Sequence, residues 1–273
     1  MTAAPVVPAA RARVQGERLE HGARLLAEET AIALTYRRAT HAVMLASPCD
    51  LEDFAVGFSL TEGIVARAEE IESLDIVRQE RGIELRMWIA DAPAEAMAAR
   101  RRRLAGATGC GLCGVESLDA ALPPVRAVEQ GAHLNLAELA RAVASLPSAQ
   151  PLNDTTHAVH AAAFWRPGAG LVAVREDVGR HNALDKLAGA LLRAGIEPAC
   201  GAVLLTSRVS VEMVQKVARM GCAIVLAVSA PTGLAIRRAE RCGITLAAVA
   251  RADGFEIFTH PARIVTEREA HVA

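Results

Sequence analysis

Apolar positions along this chain repeat with two periods. Alternation at every second position predicts strands over Thr30–Tyr36 and His41–Leu45, then Leu74–Gln79 and Ile83–Ile89. Between the pairs, Asp50 stands where it can cap a helix over Leu51–Leu60, with Asp53 at the third helical position and Phe54, Val56 and Phe58 as its apolar residues. Residues 1–16 carry no period and are expected to be a disordered tail. An alanine-rich basic helix over Ala94–Leu104 runs into a glycine-rich loop at 105–115. A helix is expected over Leu134–Leu146, with Asn135 near its start, and Pro147–Pro151 reads as a linker.

Beyond the linker the pattern becomes regular. Val159–Trp165 and Leu171–Arg175 read as a hairpin, and Asn182 can cap a helix reaching Arg193, with Asp185 three residues on. Then come a buried strand at Ala202–Leu205, a helix over Ser207–Met220, a strand at Ala223–Val228, a helix over Thr232–Arg241, and strands at Ile244–Ala250 and Phe255–Phe258. This β-α-β-α-β order predicts a parallel sheet with right-handed crossovers. The fold class is α/β: an N-terminal α+β unit over 17–146 and a C-terminal α/β ligand-binding domain over 152–273.

Composition narrows the function. The chain has 273 residues, 52% hydrophobic and 22% charged, with a formal net charge of −1. Aromatics make up 3%, so stacking platforms for nucleic acid are not expected. No apolar run long enough to span a membrane is present, and residues 1–16 lack the apolar core of a signal peptide. A cytoplasmic location follows as an expectation, with the six cysteines reduced. Cys222 and Cys242 read as small buried hydrophobes.

Two constellations carry chemistry. The first is Thr108-Gly109-Cys110-Gly111-Leu112-Cys113-Gly114, preceded by Arg100–Arg103. Glycines on this scale suit an exposed loop that presents two thiols, and nearby arginines favour thiolate. Zinc would need further ligands at matching spacing, which are missing, so no metal is expected. Disulfide exchange and covalent sulfur carriage both fit the pair, and the spacing does not separate them.

The second constellation lies where three strands end: Thr206–Ser210, Ser229–Gly233 and Arg251–Gly254. Ligands of such sheets bind beyond the carboxyl ends of the strands. Helix starts bearing Ser207, Ser229 and Thr232, with Arg208 and Arg251 beside them, suit an anionic, phosphorylated ligand. Arg180 and His181, ahead of the Asn182 helix, are further candidates, whereas His160 reads as a core histidine.

Several of these runs together resemble one family, the formate dehydrogenase accessory sulfurtransferases, or FdhD family. They are Phe58-x-x-x-Glu62-Gly63-Ile64, Cys110-Gly111-Leu112-Cys113-Gly114, His160-Ala161-Ala162, Glu176 through Lys186, Ser207 through Lys216, and Ser229-Ala230-Pro231-Thr232. The resemblance implies a sulfurtransferase. Cys110 would take sulfur from a cysteine desulfurase as a persulfide, with Cys113 assisting. The sulfur would pass to the bis(molybdopterin guanine dinucleotide) molybdenum cofactor, held as cargo for formate dehydrogenase. It further implies a three-layer αβα domain resembling the cytidine deaminase fold without zinc, and a homodimer. The cofactor-contacting segment would be Val249, Ala250, Arg251, Ala252, Asp253 and Gly254. A thiol–disulfide oxidoreductase and a non-catalytic cofactor chaperone remain the alternatives. Two departures stand out. His157 occupies a glycine position of the family, where a side chain takes positive φ at a cost, so that turn is expected to differ. Val249 falls where the family often carries an aromatic residue.

Overall fold

A computed structural model describes residues 4–97 and 127–265. The Cys110 and Cys113 loop lies outside the described residues, as does most of the basic helix. Helix is seen there over residues 91–97.

The N-terminal strands pair into a four-stranded sheet of order β4-β3-β6-β5. These are β3 (Thr30–Tyr36), β4 (Ala39–Ala46), β5 (Ile71–Gln79) and β6 (Gly82–Ile89). Period-two alternation places Ile32, Leu34 and Tyr36 of β3 beside Leu85, Met87 and Ile89 of β6 on one face. Helix α1 (Leu51–Thr61) covers that face with Leu51, Phe54, Ala55 and Phe58. Sequestering side chains of this size from water stabilises by roughly 1.5–3 kcal/mol each.

The larger sheet has six strands in the order β13-β12-β11-β10-β8-β9. Its members are β8 (His160–Arg166), β9 (Gly170–Asp177), β10 (Ala202–Leu205), β11 (Ile224–Ala227), β12 (Thr245–Arg251) and β13 (Gly254–Thr259). The three strands β10, β11 and β12 are parallel, as their alternation with helices requires. Strands β8 and β13 run antiparallel to their neighbours, so the sheet is mixed.

Three helices lie on one face: α4 (Arg180–Arg193), α5 (Val211–Met220) and α6 (Gly233–Arg241). Leu184, Leu187, Met213, Val217 and Ala235 from these helices meet Phe164, Val203, Leu205, Val225 and Leu246 of the strands. The opposite face packs against α2 (Leu136–Ser145) through Leu139 and Ala142. Asn135 caps α2 by accepting from the Glu138 N–H, and Glu138 returns the bond. A short parallel pair, β7 (Leu134–Asn135) with β14 (Ile264–Val265), closes that side.

Several expectations need correction. Residues 6–15 are not disordered: β1 (Val6–Gln15) pairs along its whole length with β2 (Arg18–Ala27). Pro8 and a run of alanines hid the alternation. The linker at 147–151 is a 3-10 turn leading into α3 (Pro151–Thr156).

Asp50 does not cap α1. It sits at φ 52 without a cap bond, and its carboxylate lies 3.7 Å from the Arg175 guanidinium. Asn182 does not cap α4 either, because the helix begins two residues earlier. Gly179 is the N-cap, and the Asn182 amide donates to the Leu45 carbonyl and to Asp177. Helix α5 begins at Val211, four residues later than the pattern suggested.

Histidine at position 157 does not keep this turn out of the left-handed region. His157 takes the left-handed conformation at φ 55 and ends α3, its N–H bonded to the Asn153 carbonyl. Histidine is among the residues that tolerate this region. His160 is not a core residue: it opens β8 at the sheet edge, half-buried.

Where α1 crosses α4, two glycines let the backbones touch. A Cβ built on Gly57 would stand 1.7 Å from the Asp185 carbonyl oxygen, and one on Gly189 would stand 1.9 Å from that of Asp53. Around this crossing, buried charges join the two sheets. Lys186 and Asp177, neither with exposed side-chain surface, pair at 2.7 Å. Asp177 also accepts from the Ser47 N–H, while Lys186 donates to the Ser47 carbonyl. Below them Lys216 bonds both Asp185 and Glu62. Asp53 binds Arg175 and Arg193.

Candidate functional site

The strand directions bring the candidate residues to one edge. β8 runs antiparallel to β10, and β9 antiparallel to β8, so β9, β10, β11 and β12 all end on the same side. Arg180 and His181 follow β9. Ser207 and Arg208 follow β10, Ser229 and Thr232 follow β11, and Arg251 through Gly254 form the β12–β13 turn.

Main-chain bonds hold these segments together. Val228 N–H donates to Leu205, Val209 N–H to Ala230, Thr232 N–H to Val209, and Val249 N–H to Ser229. Val209 and Pro231 also form an isolated parallel bridge.

The individual side chains divide by task. Thr232 caps α6, accepting from the Ala235 N–H at 3.2 Å. Ser207 is buried, with its hydroxyl donating to the Arg208 carbonyl, while Arg208 is exposed. Arg251 turns back to donate to the Val228 and Ala250 carbonyls. Ala252, Asp253 and Gly254 are exposed, and Ala250 is buried.

Val249 is the one β-branched residue among the described residues held at positive φ, 56°. Such a conformation costs on the order of 1–3 kcal/mol and persists only where the surroundings impose it. Here they are a β-bulge between Ala248 and Arg251 and the bond to Ser229.

The His181 ring is pushed down to about 4, first by burial and then by the Arg180 and Lys216 charges, against the opposing carboxylates of Glu212 and Glu62. Burial and Arg180 lower His160 as well. An NMR titration of His181 should therefore give a midpoint near 4. A midpoint near 6.5 would place the ring in water. The linkage sign follows. Between pH 6.5 and about 4 the unfolded chain takes a proton that the folded chain refuses. This contribution to stability is complete above pH 6.5 and is lost as the pH falls toward 4.

Sequence reasoning missed the structural charges: Asp53, Asp177, Asp185, Lys186 and Lys216. Their signal was present, since Asp185 and Lys186 interrupt an otherwise apolar helix. Cys222 and Cys242 are buried as expected, and burial pushes the Cys222 thiol up to about 11.

A mixed α/β protein with a polar carboxyl edge, tied by buried ion pairs to a smaller sheet, is what fold and site define. The chain belongs to the FdhD/NarQ family, whose model matches residues 27–265. It is 53% identical over 247 residues to a sulfur carrier protein FdhD of Agrobacterium fabrum, covering 89% of this chain and 90% of that one. A protein of the same name from Brucella abortus is also 53% identical over 247 residues, covering 90% of this chain and 92% of that one. Among solved structures, a putative formate dehydrogenase accessory protein from Desulfotalea psychrophila superimposes with a TM-score of 0.74. It is 26% identical and covers 95% of this chain and 99% of its own.

Proposed function

We propose that this protein is a sulfur carrier for formate dehydrogenase, working in the cytoplasm as a homodimer. The observation that carries the reading is the likeness to named sulfur carriers along nearly the whole chain, joined to an intact Cys110-x-x-Cys113 pair. In the donor step, the Cys110 thiolate attacks the outer sulfur of a cysteine desulfurase persulfide. The desulfurase thiol leaves, and Cys110 holds the sulfur as a persulfide. In the delivery step, Cys113 attacks the inner Cys110 sulfur. A disulfide forms, and the outer sulfur departs as hydrosulfide to the acceptor, so two electrons come from Cys113. A thiol reductant then restores the pair.

The acceptor in this reading is the bis(molybdopterin guanine dinucleotide) molybdenum cofactor, held as cargo at the carboxyl edge. Ser207, Arg208, Ser229, Thr232 and Val249 through Gly254 would contact it, with Arg180 and His181 beside them. Main-chain bonds that join the strand ends support the edge as a preformed cradle. Among the described residues no helix is long and apolar enough to cross a membrane.

Intact-protein mass spectrometry after incubation with a cysteine desulfurase and cysteine tests the carrier step. A reductant-labile gain of one sulfur, about 32 Da, is expected in wild type and Cys113→Ala and absent in Cys110→Ala. Loss of about two hydrogens without an adduct would instead indicate disulfide exchange. Cys110→Ala should abolish support of formate dehydrogenase; retained support would indicate a pure chaperone. Titration with GDP tests the cargo edge, and no binding at millimolar GDP would remove that part of the reading.

A further inference from the structure

The ribbon of β1 and β2 turns its apolar face away from the rest of the chain. Residues paired across an antiparallel ribbon share a face, as do alternate residues along each strand. The register therefore puts Pro8 with Leu25, Ala10 with Ala23, and Val14 with Leu19 on one face. The other face carries Arg11, Arg13, Arg18 and Arg24. It is this second face that meets the protein's own body. Arg24 donates to the Thr156 carbonyl in α3, and Val7 and Ala9 on that side are part-buried. On the apolar side Pro8, Ala10, Ala12 and Ala23 are exposed, and Leu25 is 46% exposed.

A sheet with one apolar face ordinarily packs that face on a core. A two-stranded ribbon alone in water is marginal at best, and a contiguous exposed apolar patch marks an interaction site. All but the last residue of the ribbon precede the stretch matched by the family model, so the ribbon is not part of what defines the family.

The pattern along this face fits a second copy of itself. The middle one of its five paired rows is Ala10 with Ala23. A twofold axis lying across that row stacks two ribbons head to tail, with alanine on alanine at the axis. The same operation sets Leu19 over the partner's Ala27 and Pro8 over the partner's Ala12, large against small. A ribbon with ten residues in each strand is about 34 Å long and about 10 Å wide. Two stacked faces cover roughly 1,000 Å² of accessible surface, near the lower bound for a specific pair. The strands contain no Trp, Tyr or Phe to anchor them at a lipid interface.

We propose that this face is a homodimer interface, in which the ribbons of two copies stack about a twofold axis through the Ala10–Ala23 row to form a four-stranded sandwich. The inference rests on the homodimer of the proposed function and assigns its contact surface; the sulfur chemistry does not depend on it.

Sedimentation velocity of the full chain over a micromolar concentration series tests it. Wild type should pass from monomer to dimer. Ala23→Glu and Ala23→Lys each set like charges against each other at the axis, and each should weaken dimerisation at least tenfold. An equal mixture of the two should dimerise again, which a variant that fails to fold could not do. Arg11→Glu, on the opposite face, should dimerise like wild type. If wild type dimerises and Ala23→Glu does so equally, this face is wrong and the homodimer stands. Loss of the dimer in both Ala23 variants without rescue on mixing would overturn the twofold stack. A wild type that stays monomeric throughout would remove both the interface and the homodimer, while the persulfide measurement reads the carrier step separately. Wild-type monomer that floats with anionic vesicles, and Ala23→Glu that does not, would assign the face to lipid and overturn the inference.

Discussion

Gly57→Ala is expected to leave little folded protein. The added methyl would meet the Asp185 carbonyl oxygen at 1.7 Å and the Gly189 nitrogen at 2.5 Å, and neither is the end of a side chain that could swing away. α1 and α4 would have to separate. That movement would strain the Thr61 to Asp185 hydrogen bond and the Asp53 pairs with Arg175 and Arg193. Overpacking in a core costs about 1–3 kcal/mol where side chains can adjust. Backbone against backbone should exceed that range. Gly189→Ala should behave alike, since its methyl would meet the Asp53 carbonyl oxygen at 1.9 Å. Gly22→Ala is the control: nothing lies within 4 Å of its Cβ. Soluble yield and thermal melting of the three variants check this. A Gly57→Ala protein that melts like Gly22→Ala would refute the close crossing.

Asp177→Asn should be the next most damaging change. Lys186 has no exposed surface, and among the described residues its polar partners are the Asp177 carboxylate at 2.7 Å, the Ser47 carbonyl at 2.9 Å and the Cys49 sulfur at 3.7 Å. Removing the carboxylate leaves a buried ammonium with one good acceptor. Asp177 is better supported, because it also accepts from the Ser47 and Gly179 N–H groups and the Asn182 amide. Breaking a buried pair costs about 3–5 kcal/mol. Asp177→Asn should therefore reach the upper end and Lys186→Met the lower. At roughly 2–4 °C per kcal/mol for a domain of this size, the melting temperature should fall by about 10 °C or more in Asp177→Asn. The reverse order of the two variants would show that the lysine, not the aspartate, is the better-solvated partner.

Most elements of the fold were legible because one face of each is apolar. β3 and β10 match the sequence pattern end to end, and the helices between β10, β11 and β12 fixed the parallel core of the sheet. Caps were less legible. Asn135 and Thr232 do cap, but Asp50 and Asn182 do not, because tertiary partners claim their side chains: Arg175 for the first, Leu45 and Asp177 for the second. The ribbon of β1 and β2 escaped because it has almost no core to announce it: Val14 and Leu19 are 70% and 60% exposed. At the site, the three strand-end segments could be read from topology. Arg180 Nε and His181 Nε2, buried without a hydrogen-bond partner among the described residues, could not, since an unmade hydrogen bond leaves no trace in a sequence.

The bonds between the strand ends set how this edge can change over evolutionary time. Leu205, Val209, Ala230 and Ser229 contribute carbonyls, and Val209, Val228, Thr232 and Val249 contribute N–H groups, all from the main chain. The frame of the cradle is thus written in atoms that every non-proline residue shares. Side chains along it can be exchanged to suit a different cargo while the loops keep their places. The edge is a surface on which ligand preference can drift without first dismantling the fold.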